Sequence, residues 1–175
     1  MTLTADYLRT ILDYDPETGI FTWKEREDAA PQWNSRLAGK RAGTLQPNGR
    51  GGNTIVIGIN GRTYPAHRLA WLYMTERWPA KIIDHRDGNC INNAFANLRE
   101  ATNSQKKAKD KRRSNNVSGY KGVSRSPSGC LKPWTARIQV NGNVHYLGLF
   151  DTPEEAHNEY IKAAKKHFGE FANPG

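Results

Sequence analysis

Asp84 and His85 stand side by side after two apolar residues, in the run Ile82-Ile83-Asp84-His85-Arg86-Asp87-Gly88-Asn89. A carboxylate next to an imidazole can serve phosphodiester hydrolysis. That reaction needs a base to take a proton from water, and an imidazole does so near neutral pH. It also needs a cation to polarise the phosphate and stabilise the leaving oxygen, and a carboxylate is a hard ligand for one. An Asn-rich loop follows and returns to Asn97-Leu98-Arg99. The repeated Asp and Asn also suggest a calcium loop, but Phe95 stands where an EF-hand needs its bidentate Glu. Taken alone, an Asp-His pair is an ordinary strand-to-turn dipeptide, so the elements around it decide its meaning.

Those elements can be read from period and punctuation. Thr4 caps a short helix with Tyr7, Leu8, Ile11 and Leu12 on one side. Asp15-Pro16-Glu17-Thr18-Gly19 turns the chain into a strand from Ile20 to Trp23. Residues 25–53 are polar, Gly-rich and weakly patterned, and read as loops. Thr54 to Ile59 reads as a strand, with Asn60-Gly61 as a two-residue hairpin turn. Ala66 to Arg77 reads as a helix with Leu69, Leu72 and Tyr73 inward, stopped by Pro79. Ile82 and Ile83 then form a strand that delivers Asp84 and His85 at its end.

The C-terminal part alternates clearly. In Trp134-Thr135-Ala136-Arg137-Ile138-Gln139-Val140 the Trp, Ala, Ile and Val side chains share one face, with Thr135, Arg137 and Gln139 on the other. Asn141-Gly142 turns into a strand from His145 to Phe150, with Leu147 and Leu149 expected on one face and Tyr146 on the other. Thr152-Pro153-Glu154-Glu155 starts a helix with a cap, a first-position Pro and a capping box. Its apolar stripe is Ala156, Tyr160, Ala163 and Ala164, and Gly169 ends it. The expected unit is a three-stranded antiparallel sheet with one face on a helix and the other face open, polar and basic.

Charge agrees with a polyanionic partner. The 175 residues carry 26 Lys and Arg against 17 Asp and Glu, a net charge of +9. A basic surplus favours nucleic acid because each neutralised phosphate releases a condensed counterion. No apolar run reaches the roughly 20 residues of a membrane span. The N-terminus lacks the basic and then apolar stretches of a signal peptide. The chain is expected to be cytoplasmic, in a host cell if phage-encoded, with Cys90 and Cys130 as free thiols.

The run Ala66-His67-Arg68-Leu69-Ala70-Trp71, the Asp84-His85 pair, Asn92-Asn93 and Asn97-Leu98-Arg99 together resemble the HNH nucleases of phages and mobile introns. The resemblance implies two strands and a helix around one divalent metal, Mg2+ or Mn2+. It assigns His85 as general base, Asp84 as metal ligand and Asn97 as the residue steadying the loop and the scissile phosphate. His67 reads as an ordered histidine on the packed helix. Arg86 and Arg99 are candidates for phosphate contact or for structural roles. There is one departure. Where the family places a third His or Asn after Ser-Gln, at the metal position near Asp84, this chain has Lys106. An ammonium has no lone pair for a metal, so the metal site is weakened, or a neighbour such as Asn103 substitutes, or the nuclease half is an inactivated form; a Lys could also supply positive charge at the phosphate itself.

Residues 120–173 resemble AP2 domains through Tyr120-Lys121-Gly122-Val123, Trp134-Thr135-Ala136-Arg137-Ile138, Tyr146-Leu147-Gly148-Leu149-Phe150, Thr152-Pro153-Glu154-Glu155-Ala156 and Gly169. The resemblance lays the open sheet face in the major groove of double-stranded DNA, and assigns Lys121, Ser124, Arg125, Arg137, Gln139 and Tyr146 to contact. Plant members carry Arg at several sites that here hold Ser124, Gln139 or Val144, so base preference does not transfer. The expected fold class is α+β: a ββα-metal HNH module over 1–105, a basic linker over 106–116, and an AP2-like sheet and helix over 117–175. The expected function is metal-dependent, site-specific cleavage or nicking of DNA, of the homing type. The alternative is a sequence-specific DNA-binding protein with an inactive nuclease half. No protein partner and no membrane are implied.

Overall fold

The computed structural model describes residues 3–49, 52–110 and 115–175, which form a mixed α/β chain of small antiparallel sheets and helices. It divides into two compact units, Met1–Glu100 and Ala101–Gly175. Among the described residues no helix is long and apolar enough to cross a membrane.

In the first unit, helix α1 (Ala5–Ile11) starts where the Thr4 hydroxyl accepts from the Tyr7 N–H at 3.3 Å. It leads into the hairpin of β1 (Leu12–Asp15) and β2 (Ile20–Trp23). Asp15 Oδ1 accepts from the Glu17 N–H at 2.9 Å, and Gly19 supplies the positive φ of 71° that closes the turn. Helix α2 (Pro31–Leu37) precedes a three-stranded sheet of β3 (Thr44–Pro47), β4 (Asn53–Ile59) and β5 (Arg62–Pro65), with β4 central. Ile55, Ile57 and Ile59 alternate along β4 into the core. Helix α3 (Ala66–Thr75) buries Leu69 and Leu72 against them. Strand β6 (Ile82–His85) pairs with β7 (Leu98–Ala101), bringing Ile83 and Leu98 to the same core. Each such side chain contributes about 1.5–3 kcal/mol by leaving water.

In the second unit, helix α4 (Asn103–Lys109) carries a reciprocal capping box between Thr102 and Gln105. The sheet of β8 (Val123–Arg125), β9 (Trp134–Val140) and β10 (Asn143–Phe150) has β9 in the middle. Asn141 and Gly142 turn β9 into β10 with φ of 49° and 90°. Helix α5 (Pro153–Phe168) is capped by the Thr152 hydroxyl, and its buried Ala156, Tyr160, Ala163 and Ala164 cover one sheet face.

Three readings of the sequence change. Residues 25–53, expected to be loops, contain α2 and β3. Neither buries a residue, so neither leaves an apolar period to read. Helix α3 stops at Glu76 in a left-handed conformation (φ 62°), three residues before Pro79. The basic stretch, read as a helix end running into a linker, places Lys106, Lys107 and Lys109 at the end of α4, while 111–114 lie outside the described residues. A β-bulge between Tyr146 and Gly148 shifts the register, so Gly148 faces Ala136, Leu149 faces Thr135 and Phe150 faces Trp134. Leu147 therefore packs inward with Phe150, whereas Leu149 joins Tyr146 on the open face.

Gly122 has φ of 74°, and a Cβ there would sit 2.1 Å from Cδ2 of the buried Tyr160 ring. Gly122→Ala is expected to lower the stability of the second unit by about 1–3 kcal/mol from overpacking, beyond the left-handed strain. Gly129→Ala has a similar φ (87°) but open space around it. It should show only the strain, about 1–2 kcal/mol, and urea unfolding of the two variants measures the difference.

Candidate active site

The two residues singled out first are both buried at the end of β6: Asp84 is 7% and His85 5% exposed. A charge that deep needs a partner, and Arg99 on β7 supplies it, its Nε donating to Asp84 Oδ2 at 3.1 Å. Arg99 is itself buried. Arg86 has an exposed side chain.

His85 is held on two sides. Its Nε2 lies 3.1 Å from Asn93 Oδ1, and Asn93 is 1% exposed. The ring of His67, on α3, meets the His85 ring edge-on at 5.2 Å. Asn93 was given no role from the sequence, where it entered only as part of the family pattern and is one of four asparagines between 89 and 97. Only its depth distinguishes it, and sequence alone carries no signal for that.

Asn97 is tied into the loop between the strands. Its Nδ2 donates to Asp87 Oδ1 (3.0 Å) and Asn92 O (2.8 Å), its Oδ1 accepts from the Asp87 N–H (3.0 Å), and its carbonyl accepts from the Arg86 N–H (2.8 Å). Partial burial pushes the Asp87 carboxyl up. Hydrogen bonds from the Asn89 N–H and the Asn92 and Asn97 amides, with the nearby His85, outweigh this and leave it below the ordinary range. The stability this gives the loop is present above the ordinary Asp value and is lost as pH falls through the depressed one.

The hard donor available here for a divalent cation is the Asp84 carboxylate, which is paired with Arg99. Asp84 offers a carboxylate beside an imidazole, and ions such as magnesium take one or two carboxylates while keeping water and phosphate oxygens. Among the described residues no group of three His, Cys, Asp or Glu side chains could hold a metal ion. Lys106 lies half-buried in α4 of the second unit, and Asn103 is the first residue of that helix.

The residues expected on the open sheet face separate into two sets. Ser124 faces Thr135 across the ladder, Tyr146 faces Arg137 and Val144 faces Gln139. Ser124, Arg137, Gln139 and Tyr146 therefore share one face, and all four are exposed. Arg125 does not join them. It faces Trp134 on the helix side, with its guanidinium 5.0 Å from that ring, because adjacent residues on a strand point to opposite faces. Lys121 is also engaged elsewhere. Its ammonium donates to the carbonyls of Ala108 (2.6 Å), Asp110 (2.5 Å) and Asn173 (3.0 Å), and burial pushes its pKa down.

Removing Arg99 leaves the Asp84 carboxylate buried without that partner. Arg99→Met is expected to cost about 3–5 kcal/mol in urea unfolding, while Asp84→Leu with Arg99→Met should recover most of it, because two apolar groups leave no buried charge.

Part of the chain matches known proteins. The family model described as HNH endonuclease matches residues 64–108, from β5 through α4. A protein of Acanthamoeba polyphaga mimivirus named as an uncharacterized HNH endonuclease is 34% identical over 110 residues, covering 62% of this chain and 55% of that protein. The chain thus aligns with about half the length of that relative. No solved structure matches. Asp84, His85, Asn93 and Asn97 all lie inside the residues that match the HNH endonuclease family model.

Proposed function

We propose that the chain is a metal-dependent endonuclease or nickase of the homing type, acting on double-stranded DNA. In this reading the matched segment cuts, and the open face of the second unit, which resembles AP2 domains, selects the site. The observation that supports it is the buried Asp84–His85 pair at the end of β6, inside the matched segment and braced by Arg99 and Asn93.

Asp84 would hold a magnesium or manganese ion, which supplies charge to the phosphate and to the leaving oxygen. His85 takes the proton of a water whose oxygen attacks phosphorus. As that bond forms, the bond to one sugar oxygen breaks; that oxygen takes a proton from solvent water and His85 later releases its own to solvent, leaving a phosphate monoester and a hydroxyl. Arg99 orients Asp84. Asn97 keeps the loop from Asp87 to Asn92 closed beside the phosphate position. In the second unit, Ser124, Arg137, Gln139 and Tyr146 are the residues proposed to meet base edges and backbone. That unit holds 13 Lys and Arg against 6 Asp and Glu, so seven of the nine surplus charges lie there. Such a distribution supports affinity residing in the second unit and chemistry in the first.

Supercoiled plasmid with magnesium or manganese is expected to become nicked or linear. His85→Ala should abolish this while leaving DNA affinity within a few-fold of the parent; joint loss of binding and cutting would make His85 structural. Arg137→Ala is expected to weaken site-specific binding by about 1–3 kcal/mol if it reads a base, and to lower the salt slope by about one unit for all sequences if it meets only phosphate. Lys106 favours a second reading, a DNA-binding protein that no longer cuts. On that reading the parent is inert and Lys106→Asn gains cleavage and metal affinity. A parent that cuts, and cuts worse as Lys106→Asn, removes it.

A further inference from the structure

The base of the proposed reaction is a buried imidazole, and the reaction requires a lone pair on one particular ring nitrogen. A neutral histidine carries its proton on Nδ1 or Nε2, and the hydrogen bond made by one nitrogen decides what the other can do. His85 Nε2 faces Asn93 Oδ1 at 3.1 Å. The amide is oriented by its other end, where Asn93 Nδ2 points to Ile91 O at 3.5 Å. A carbonyl oxygen accepts only, so with the amide this way round Nε2 donates to it.

Asn93 is in turn fixed by a part of the chain about 75 residues away. The Tyr14 hydroxyl on β1 donates to Asn93 O at 2.7 Å, and the Phe95 N–H donates to Pro16 O at 2.8 Å. Between these two bonds Gly19 lies flat on the Asn93–Ala94 peptide. A Cβ at Gly19 would fall 2.2 Å from Asn93 C and 2.3 Å from Ala94 N. Rings of Phe21 and Tyr73 pack on Tyr14, with centroids at 4.6 and 5.6 Å. The hairpin lies outside residues 64–108, which the family match covers.

We propose that Asn93 is a positioning residue that holds the proton of His85 on Nε2, leaving the Nδ1 lone pair to take the proton of water, and that the β1–β2 hairpin clamps Asn93 in place. The inference rests on the reading of His85 as the base, but its main test does not require cleavage. In the full-length chain labelled with 15N at histidine, two-bond proton–nitrogen correlation spectra distinguish the tautomers, taken about two pH units above the ordinary histidine value. Loss of signals in His85→Gln assigns them. His85 is expected as the Nε2–H form. Asn93→Asp keeps an acceptor oxygen in the same place and should keep that form, whereas Asn93→Ala should lose the preference. Gly19→Ala, which displaces the Asn93 peptide without touching His85, should weaken the preference too. If the parent cuts DNA, Gly19→Ala should also lower kcat tenfold or more at little-changed KM, and Asn93→Asp should retain more of kcat than Asn93→Ala. A parent with the proton on Nδ1, an Asn93→Asp chain that moves it there, or a folded Asn93→Ala chain with an unaltered tautomer overturns the proposal. Since the parent spectrum alone can overturn it, failure of Asn93→Ala to fold does not protect it. An inert parent with the expected tautomers refutes the nuclease reading and leaves the positioning result standing.

Discussion

A carboxylate and an imidazole taken out of water at one strand end must find their partners inside the protein, and much of the first unit is arranged to meet that demand. Leaving a buried polar group unsatisfied costs of the order of 1–3 kcal/mol, more for a charge, which is a large share of a small domain's stability. Asp84 draws Arg99 in from β7, and His85 draws Asn93 in from the loop. Arg99 can be reached only if β6 and β7 pair, and Asn93 only if the loop between them folds back on itself. The same bonds that satisfy the buried groups therefore define the geometry of the site.

The loop from Asp87 to Asn97 is rich in asparagine for a physical reason. Asparagine offers donors and an acceptor on a short stem, so a tight irregular segment can satisfy its own backbone without water. Asn89, Asn92 and Asn97 all bond within the loop, to Asp87 or to backbone groups. Asn93 alone is turned inward to a functional side chain. One residue type thus performs two tasks that look identical in the sequence.

The strands and helices with a strong period were legible. The alternation along β9, the Asn-Gly turns after β4 and β9, and the Thr152 cap are all found where the residues place them. Asp84 and His85 could be singled out because two apolar residues deliver them. Other features were not legible. The bulge before Gly148 reverses the parity of Leu149, and nothing in the local pattern announces it. Ser124 and Arg125 were assigned to one face by family resemblance, although the period of two forbids it for neighbours on a strand. Lys121 was assigned to DNA contact by the same resemblance, yet its ammonium closes three carbonyls, including one from the C-terminal tail. The partners of Arg99 and Asn93 required knowing which strands pair, information that sequence spacing does not contain.

The contact between Gly19 and the Asn93 peptide also bears on the order in which the molecule assembles. Segments so far apart in the chain meet late, because the long loop between them must first be closed at an entropic cost. On a ribosome the hairpin emerges early and must wait for the loop it grips. A fragment trimmed to residues 64–108, the matched block, would contain every residue of the site and lack the grip.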